Sequence, residues 1–311
     1  MTVNSLQNLL RAHPVTQIDT AGGRVQFRQA GNARLAPTHV LMHGIGSNSA
    51  SWVWQLQAAA KLGAEQTKVN LLAWDAPGYS SAESGSDRGE SAPLAPDAPT
   101  AQDYAQRLWQ WLDAMQAASG QAARPVTLVG HSLGALMAAS AACLAPARVA
   151  RLLLLAPAQG YARASPEERR NKLQNRLDTL AALGPAGLAE KRGPAMLSPL
   201  ADAALVAFAQ SVMAQIIPAG YTQASRLLSE GDLLKDLAAV VCPVAVASGD
   251  ADTVTPPAGC QAVARHVGAP YTPLTGAGHL CALERPLKVN RLMGLGSPIE
   301  PATATGAPHD R

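Results

Sequence analysis

Apolar residues along this chain come in two kinds of run. Residues 38–42, 68–74, 126–130, 151–156 and 240–247 are short, almost unbroken apolar stretches, the pattern of strands buried on both faces. Between them, apolar residues recur three and four apart, as on one face of a helix. Residues 51–62 place Trp52, Leu56 and Ala59 on such a face. Residues 100–115 do the same with Tyr104, Leu108, Trp111, Leu112 and Met115, behind a Thr100 cap. Further helices are expected from Gly134 to Leu144, over 257–266, and after His279. Residues 15–20 and 24–29 alternate around Ala21-Gly22-Gly23 and predict a β-hairpin. A short strand is expected at 270–274.

Between about Gly160 and Asp236 the strand pattern stops. Helical segments are expected at 166–183, 187–191, 201–216 and 221–228, broken at Gly184-Pro185, Gly193-Pro194, Ser198-Pro199 and Pro218-Ala219-Gly220. An all-helical block between two strands reads as a lid inserted into an α/β sheet. The expected division is residues 1–159 and 237–296 for the core and 160–236 for the lid. Residues 297–311 lose all apolar pattern and are expected to form a disordered tail. Residues 81–99, rich in Ser, Gly, Pro and Asp, read as a mobile surface loop. Strands alternating with helices imply a mostly parallel sheet flanked by helices on both faces.

Composition narrows the class. At 311 residues, with 48% hydrophobic and 15% charged residues, the chain is globular. A formal net charge of +3, dispersed along the sequence, gives no nucleic-acid footprint. No apolar run approaches the ~18 residues of a membrane span, and the first residues lack a basic segment followed by an apolar core. Cys143, Cys242, Cys260 and Cys281 are widely and irregularly spaced, which suits reduced thiols and not a disulfide framework or zinc site. A cytoplasmic protein is expected, with no nucleic-acid or membrane partner; a homo-oligomer stays open.

The chemistry centres on Gly130-His131-Ser132-Leu133-Gly134, between an apolar strand and a helix. Strand, one-residue turn and helix form the setting of a nucleophile elbow, where flanking glycines allow close packing around a strained serine. A serine hydroxyl attacks near neutral pH only when a base takes its proton, and a histidine serving as base needs a carboxylate to orient it. Ser132, Asp252 and His279 occur in that order, each just past an apolar strand, where the chemistry of open α/β sheets collects. Asp250 is the rival to Asp252, and Asp75 more simply fixes a turn with Pro77 and Gly78. His13, His39 and His266 have no partner motif.

The elbow, the loop His43-Gly44-Ile45-Gly46-Ser47, the segment Asp75-Ala76-Pro77-Gly78-Tyr79, Gly249-Asp250-Ala251-Asp252 with Pro256, and Gly276-Ala277-Gly278-His279 follow one another in order. In these five motifs the sequence resembles the α/β-hydrolase superfamily over about residues 15–296. The resemblance implies that Ser132 is the nucleophile, His279 the general base and Asp252 its orienting acid. It places the oxyanion hole at the N–H groups of Leu133 and Ile45, and it calls for no metal or cofactor. His43 is expected to support the oxyanion loop and His131 to pack or hydrogen-bond. His43, Gly44, Trp52, Tyr79 and His131 are the candidates to border the substrate pocket, with Trp54 a further one.

Haloalkane dehalogenases and epoxide hydrolases carry an aspartate at the elbow, which Ser132 excludes. The chain is more similar to the esterase and enol-lactonase branch, including enzymes of the 3-oxoadipate enol-lactonase type, implying a small-molecule ester or lactone substrate. Hydrolases of meta-cleavage products are a second reading, against which stand His131, Leu133 and Leu280 where those enzymes usually have Asn, Met and Trp. A non-catalytic binding protein of the same fold is a third. Arg163, Arg169, Arg170, Lys172 and Arg176 early in the lid could greet a carboxylated substrate; the interleaved Glu167, Glu168 and Asp178 favour a solvated face instead.

Overall fold

A computed structural model describes residues 2–64, 68–80 and 90–296. In chain order the first elements are α1 (Val3–Arg11), β1 (Thr16–Thr20), β2 (Gly23–Gly31), β3 (His39–Met42), α2 (Val53–Ala64) and β4 (Asn70–Trp74). There follow α3 (Ala101–Ser119), β5 (Val126–His131), α4 (Gly134–Leu144) and β6 (Val149–Leu155). Four helices come next: α5 (Pro166–Arg192), α6 (Ala203–Met213), α7 (Pro218–Glu230) and α8 (Leu233–Leu237). The chain then returns to the sheet with β7 (Val244–Gly249), α9 (Pro257–His266), β8 (Tyr271–Leu274), α10 (Cys281–Glu284) and α11 (Pro286–Met293).

The eight strands form one sheet in the order β1-β2-β4-β3-β5-β6-β7-β8. β1 and β2 form the expected hairpin, β2 runs antiparallel to β4, and all other pairs are parallel. This is the α/β-hydrolase fold, with α5–α8 as a helical insertion between β6 and β7. The strands alternate strictly between two cores. Val40, Met42, Leu72, Trp74, Leu128, Leu152, Leu154 and Val246 pack on the face covered by α3 and α4. Leu41, Leu71, Ala73, Val129, Leu153, Leu155 and Ala247 pack on the face covered by α2 and α11. Successive side chains of a strand point to opposite faces. A strand covered on both faces therefore needs an unbroken apolar run, which is what these segments have.

Several elements depart from expectation. α1 was not expected: no element was read before residue 15. Thr2 caps it in a reciprocal pair with Ser5, and its Leu6 is fully buried in a third core beneath the insertion. The segments expected at 166–183 and 187–191 join into α5, bent where Gly184 adopts φ 62°, ψ 178° ahead of Pro185. β7 starts at Val244 and not at 240, because Pro243 has no N–H for a ladder and Val241 is 79% exposed. β6 ends one residue early, as Ala156 turns out of the sheet at φ 45°. Residues 81–89 of the expected loop and the expected tail at 297–311 lie outside the described residues. Among the described residues no single helix is long and apolar enough to cross a membrane. All four cysteines are free thiols.

Candidate active site

Ser132 leaves β5 with φ 52°, a left-handed conformation that costs a non-glycine residue of order 1–3 kcal/mol. The turn survives because its neighbours are small. A Cβ on Gly130 would come within 2.5 Å of the Gly134 carbonyl oxygen and 2.7 Å of Ala135 Cα, and one on Gly134 would overlap the Met42 carbonyl. The Ser132 N–H donates to Leu155 O at 3.0 Å, and its carbonyl accepts from Ala135 and Ala158. Backbone bonds from three segments thus hold the strained residue at the carboxyl end of the parallel sheet.

His279 and Asp252 arrive from the loops after β8 and β7. His279 Nδ1 lies 2.9 Å from Asp252 Oδ2, with both side chains almost wholly buried. The other carboxylate oxygen accepts the N–H groups of Val254 and Thr255 at 2.8 and 2.9 Å. Burial alone would push the Asp252 pKa up. Its bond to His279, the attraction of that ring and the Thr255 donors outweigh burial and hold it below the ordinary value. Asp250, the rival carboxylate, instead accepts from Gly276 N–H at 2.7 Å on the exposed side of the turn. Asp75 accepts from Ser49 N–H at 2.7 Å, at the start of the short 3-10 turn Ser49–Trp52.

Thr255 went unnoticed in the sequence. Its hydroxyl lies 2.8 Å from Asp252 Oδ2, 3.1 Å from His279 Nδ1 and 3.1 Å from Ala156 O. It ties the carboxylate and the imidazole to the residue that turns β6 out of the sheet. The available signal was a hydroxyl residue three after an aspartate in a turn, a spacing that lets both side chains bond the local backbone.

The loop after β3 is braced from beneath. His43 Nε2 accepts the Ala76 N–H at 3.0 Å, leaving Nδ1 to donate to Gly44 O at 2.8 Å. Burial lowers the pKa of His43, so the ring stays neutral in this tautomer. The Tyr79 hydroxyl donates to Ile45 O at 2.9 Å. A Cβ on Gly44 would lie 3.1 Å from Ser132 Cβ, a measure of how closely this loop approaches the elbow. Among the described residues the N–H groups of Ile45 and Leu133 have no acceptor.

Ser132 and His279 open onto one cavity of about 360 Å³. The expected pocket residues divide. Gly44 and His131 line the cavity, as does Ile45 of the expected oxyanion hole; His43, Trp52, Trp54 and Tyr79 do not. His43 and Tyr79 are fully buried behind the loop they brace. Trp52 packs under the sheet, its ring edge-on to His131 at 6.4 Å between centroids. Hydrophobic size suggested aromatic walls, but packing used these rings as supports. The insertion contributes Leu188, Met196, Met213, Tyr221 and Leu228 to the apolar lining. Arg176 and Arg192, from the two arms of α5, also line the cavity. Arg192 was not singled out in the sequence.

His131 donates from Nε2 to the His279 carbonyl at 2.9 Å. Burial, and next the neighbouring His279, hold its pKa at about 3. His131 is thus neutral at working pH and fixes the backbone of the candidate base. Ser132 Oγ makes no hydrogen bond among the described residues. In unliganded sites such bonds are often long and tighten only when substrate arrives.

Comparison with known proteins agrees with the fold. Residues 40–292 match the family described as "Alpha/beta hydrolase family". A thermophilic esterase from Thermogutta terrifontis, with malate bound, superposes with a TM-score of 0.72 at 21% identity, covering 90% of this chain and 97% of its own. A bromoperoxidase from Bacillus anthracis gives 0.71 at 15% identity over 91% and 99%. The enol-lactonase from Burkholderia xenovorans gives 0.70 at 20% identity over 90% and 98%. These likenesses are of fold. Among curated proteins no sequence matches.

Proposed function

We propose that this chain, which belongs to the alpha/beta hydrolase family, is a serine hydrolase that cleaves a carboxylic ester or lactone of a small molecule. The observation that carries the reading is the meeting, on one cavity wall, of a serine at φ 52° and a histidine anchored by a buried aspartate at 2.9 Å. Ser132 Oγ attacks the substrate carbonyl carbon while His279 Nε2 takes its proton. Asp252 keeps the proton on Nδ1 and stabilises the imidazolium. The carbonyl oxygen, now an oxyanion, is held by the N–H groups of Ile45 and Leu133, which have no acceptor of their own among the described residues. Losing one such donor costs about 3–4 kcal/mol of transition-state stabilisation. His279 returns its proton to the leaving oxygen, the C–O bond breaks, and an acyl group stays on Ser132. His279 then deprotonates a water that attacks the acyl carbon, releasing the acid and restoring the serine.

Ser132 Oγ, which makes no hydrogen bond among the described residues, favours one other reading, a binding protein that keeps the fold without turnover. A fluorophosphonate probe separates the two. On the hydrolase reading it labels the wild type and not Ser132→Ala, and p-nitrophenyl esters from acetate to octanoate are turned over by the wild type alone. Absence of both labelling and turnover overturns the hydrolase in favour of the binding protein.

A further inference from the structure

The charges in the cavity do not balance. Arg176 and Arg192 line it, and among the described residues no Asp or Glu does. Of the other basic residues at the start of the insertion, three are paired, Arg163 with Asp232 at 2.9 Å, Arg169 with Glu230 at 3.2 Å and Lys172 with Glu168 at 3.5 Å, and Arg170 is exposed. Among the described residues neither Arg176 nor Arg192 has a carboxylate partner.

Arg176 is held in place by neutral groups. It donates to Lys172 O at 3.2 Å and to the Tyr161 hydroxyl at 3.1 Å, with its guanidinium 5.2 Å from the Tyr161 ring centroid. These contacts orient the planar fork and leave further N–H donors unspent. The Arg192 side chain makes no hydrogen bond among the described residues. It stands four residues after Leu188, on the same helical face, and Leu188 also lines the cavity. The bend at Gly184-Pro185 lets both arms of α5 bring an arginine to the lining of one cavity. Guanidinium groups facing a partly enclosed cavity, without a counter-charge, are suited to bind a carboxylate in bidentate fashion.

We propose that Arg176 and Arg192 form an anion subsite, and that the ester or lactone cleaved at Ser132 carries a second, free carboxylate. This rests on the serine-hydrolase reading for the reaction but not for the binding. The two segments that build the subsite, the loop around Tyr161 and α5, are separate in the chain from the elbow and the loops of Asp252 and His279.

The test compares mono-p-nitrophenyl adipate with p-nitrophenyl hexanoate, which differ by a terminal carboxylate. A chain of this length keeps the carboxylate from attacking its own ester. 4-Carboxyphenyl hexanoate, set against phenyl hexanoate, places the charge on the leaving group instead. For at least one pair the wild type should show kcat/KM at least about tenfold higher for the anionic ester. That ratio should fall roughly 10–100-fold in Arg192→Gln and in Arg176→Gln, and hold in Arg170→Gln, which removes an exposed charge of the same helix. Circular dichroism checks that the variants are folded. Ratios at or below one for both pairs in the wild type, or ratios unmoved by both substitutions, overturn the proposal. Calorimetry with free adipate reads the subsite without catalysis: binding by the wild type that weakens at least about tenfold in Arg192→Gln supports it, and no binding by the wild type overturns it. A chain that fails to label with fluorophosphonate but binds adipate through Arg192 loses the hydrolase reading and keeps the subsite.

Discussion

His131 and His279 are tied through the main chain. Nε2 of the first donates to the carbonyl of the second at 2.9 Å, while the ring centroids stand 4.8 Å apart. The residue beside the candidate nucleophile therefore positions the backbone of the candidate base, and in its neutral form it does so only in the tautomer that carries the proton on Nε2.

The burial of His131 makes folding pH-dependent. The His131 pKa, ordinarily 6.5, is held at about 3 in the folded chain, so between these values the unfolded chain binds the extra proton. Stability then rises with pH. The contribution is complete above about pH 6.5 and is lost as pH falls toward 3, by up to ~1.4 kcal/mol per pH unit. Burial lowers His13, His39 and His43 in the same direction. Urea unfolding at pH 7 and pH 5 should show a lower midpoint at pH 5. The drop should shrink in His131→Gln, which keeps a donor but does not titrate; an unchanged drop contradicts the assignment.

The two aspartates of the loop after β7 should separate cleanly. Asp252→Asn removes the charge that holds His279 and should lower kcat on p-nitrophenyl esters by roughly 10³–10⁴-fold. Asp250→Asn keeps an acceptor for Gly276 and should change kcat by less than about twofold. Equal losses in both would mean that the turn as a whole, and not the carboxylate on His279, matters.

Thr255→Val is nearly isosteric and deletes the hydroxyl shared by Asp252, His279 and Ala156. Leaving a buried carboxylate oxygen with one donor fewer costs about 1–3 kcal/mol. The variant should unfold at lower urea and turn over roughly tenfold more slowly, whereas Thr255→Ser should recover most of the activity. Failure of serine to rescue would move the role from the hydroxyl to the methyl group.

Tyr79→Phe removes the bond to the Ile45 carbonyl without changing ring packing. The loop carrying the Ile45 N–H should loosen, and kcat should fall several-fold with KM nearly constant, as for an interaction made in the transition state. A pure KM effect would place Tyr79 among substrate-binding groups.

The sheet and the elbow were legible because their physics is local. Val40, Leu41 and Met42 had to be apolar in succession to enter two cores by turns, and Gly130 and Gly134 had to lack side chains where helix meets strand. The N-terminal helix escaped notice because Thr2 and Ser5 cap it through an uncommon pair, and its burial comes from a distant insertion. Trp52 and Tyr79 were expected in the pocket because large rings near a site can serve as wall or as support, and only packing decides which. Arg192 was invisible for a geometric reason: the cavity-facing side of the second arm of α5 depends on the bend at Gly184, and no periodicity fixes that bend.

β6 and β7 pair directly, Leu152 with Val244 through Leu155 with Ala247, although all of α5–α8 lies between them in the chain. The sheet closes beneath the insertion as if it were absent. The segment holding both cavity arginines can accordingly be exchanged or randomised as a cassette, with the reacting groups left in their original loops. Breeding new preferences into this scaffold is then a matter of grafting between two fixed ends.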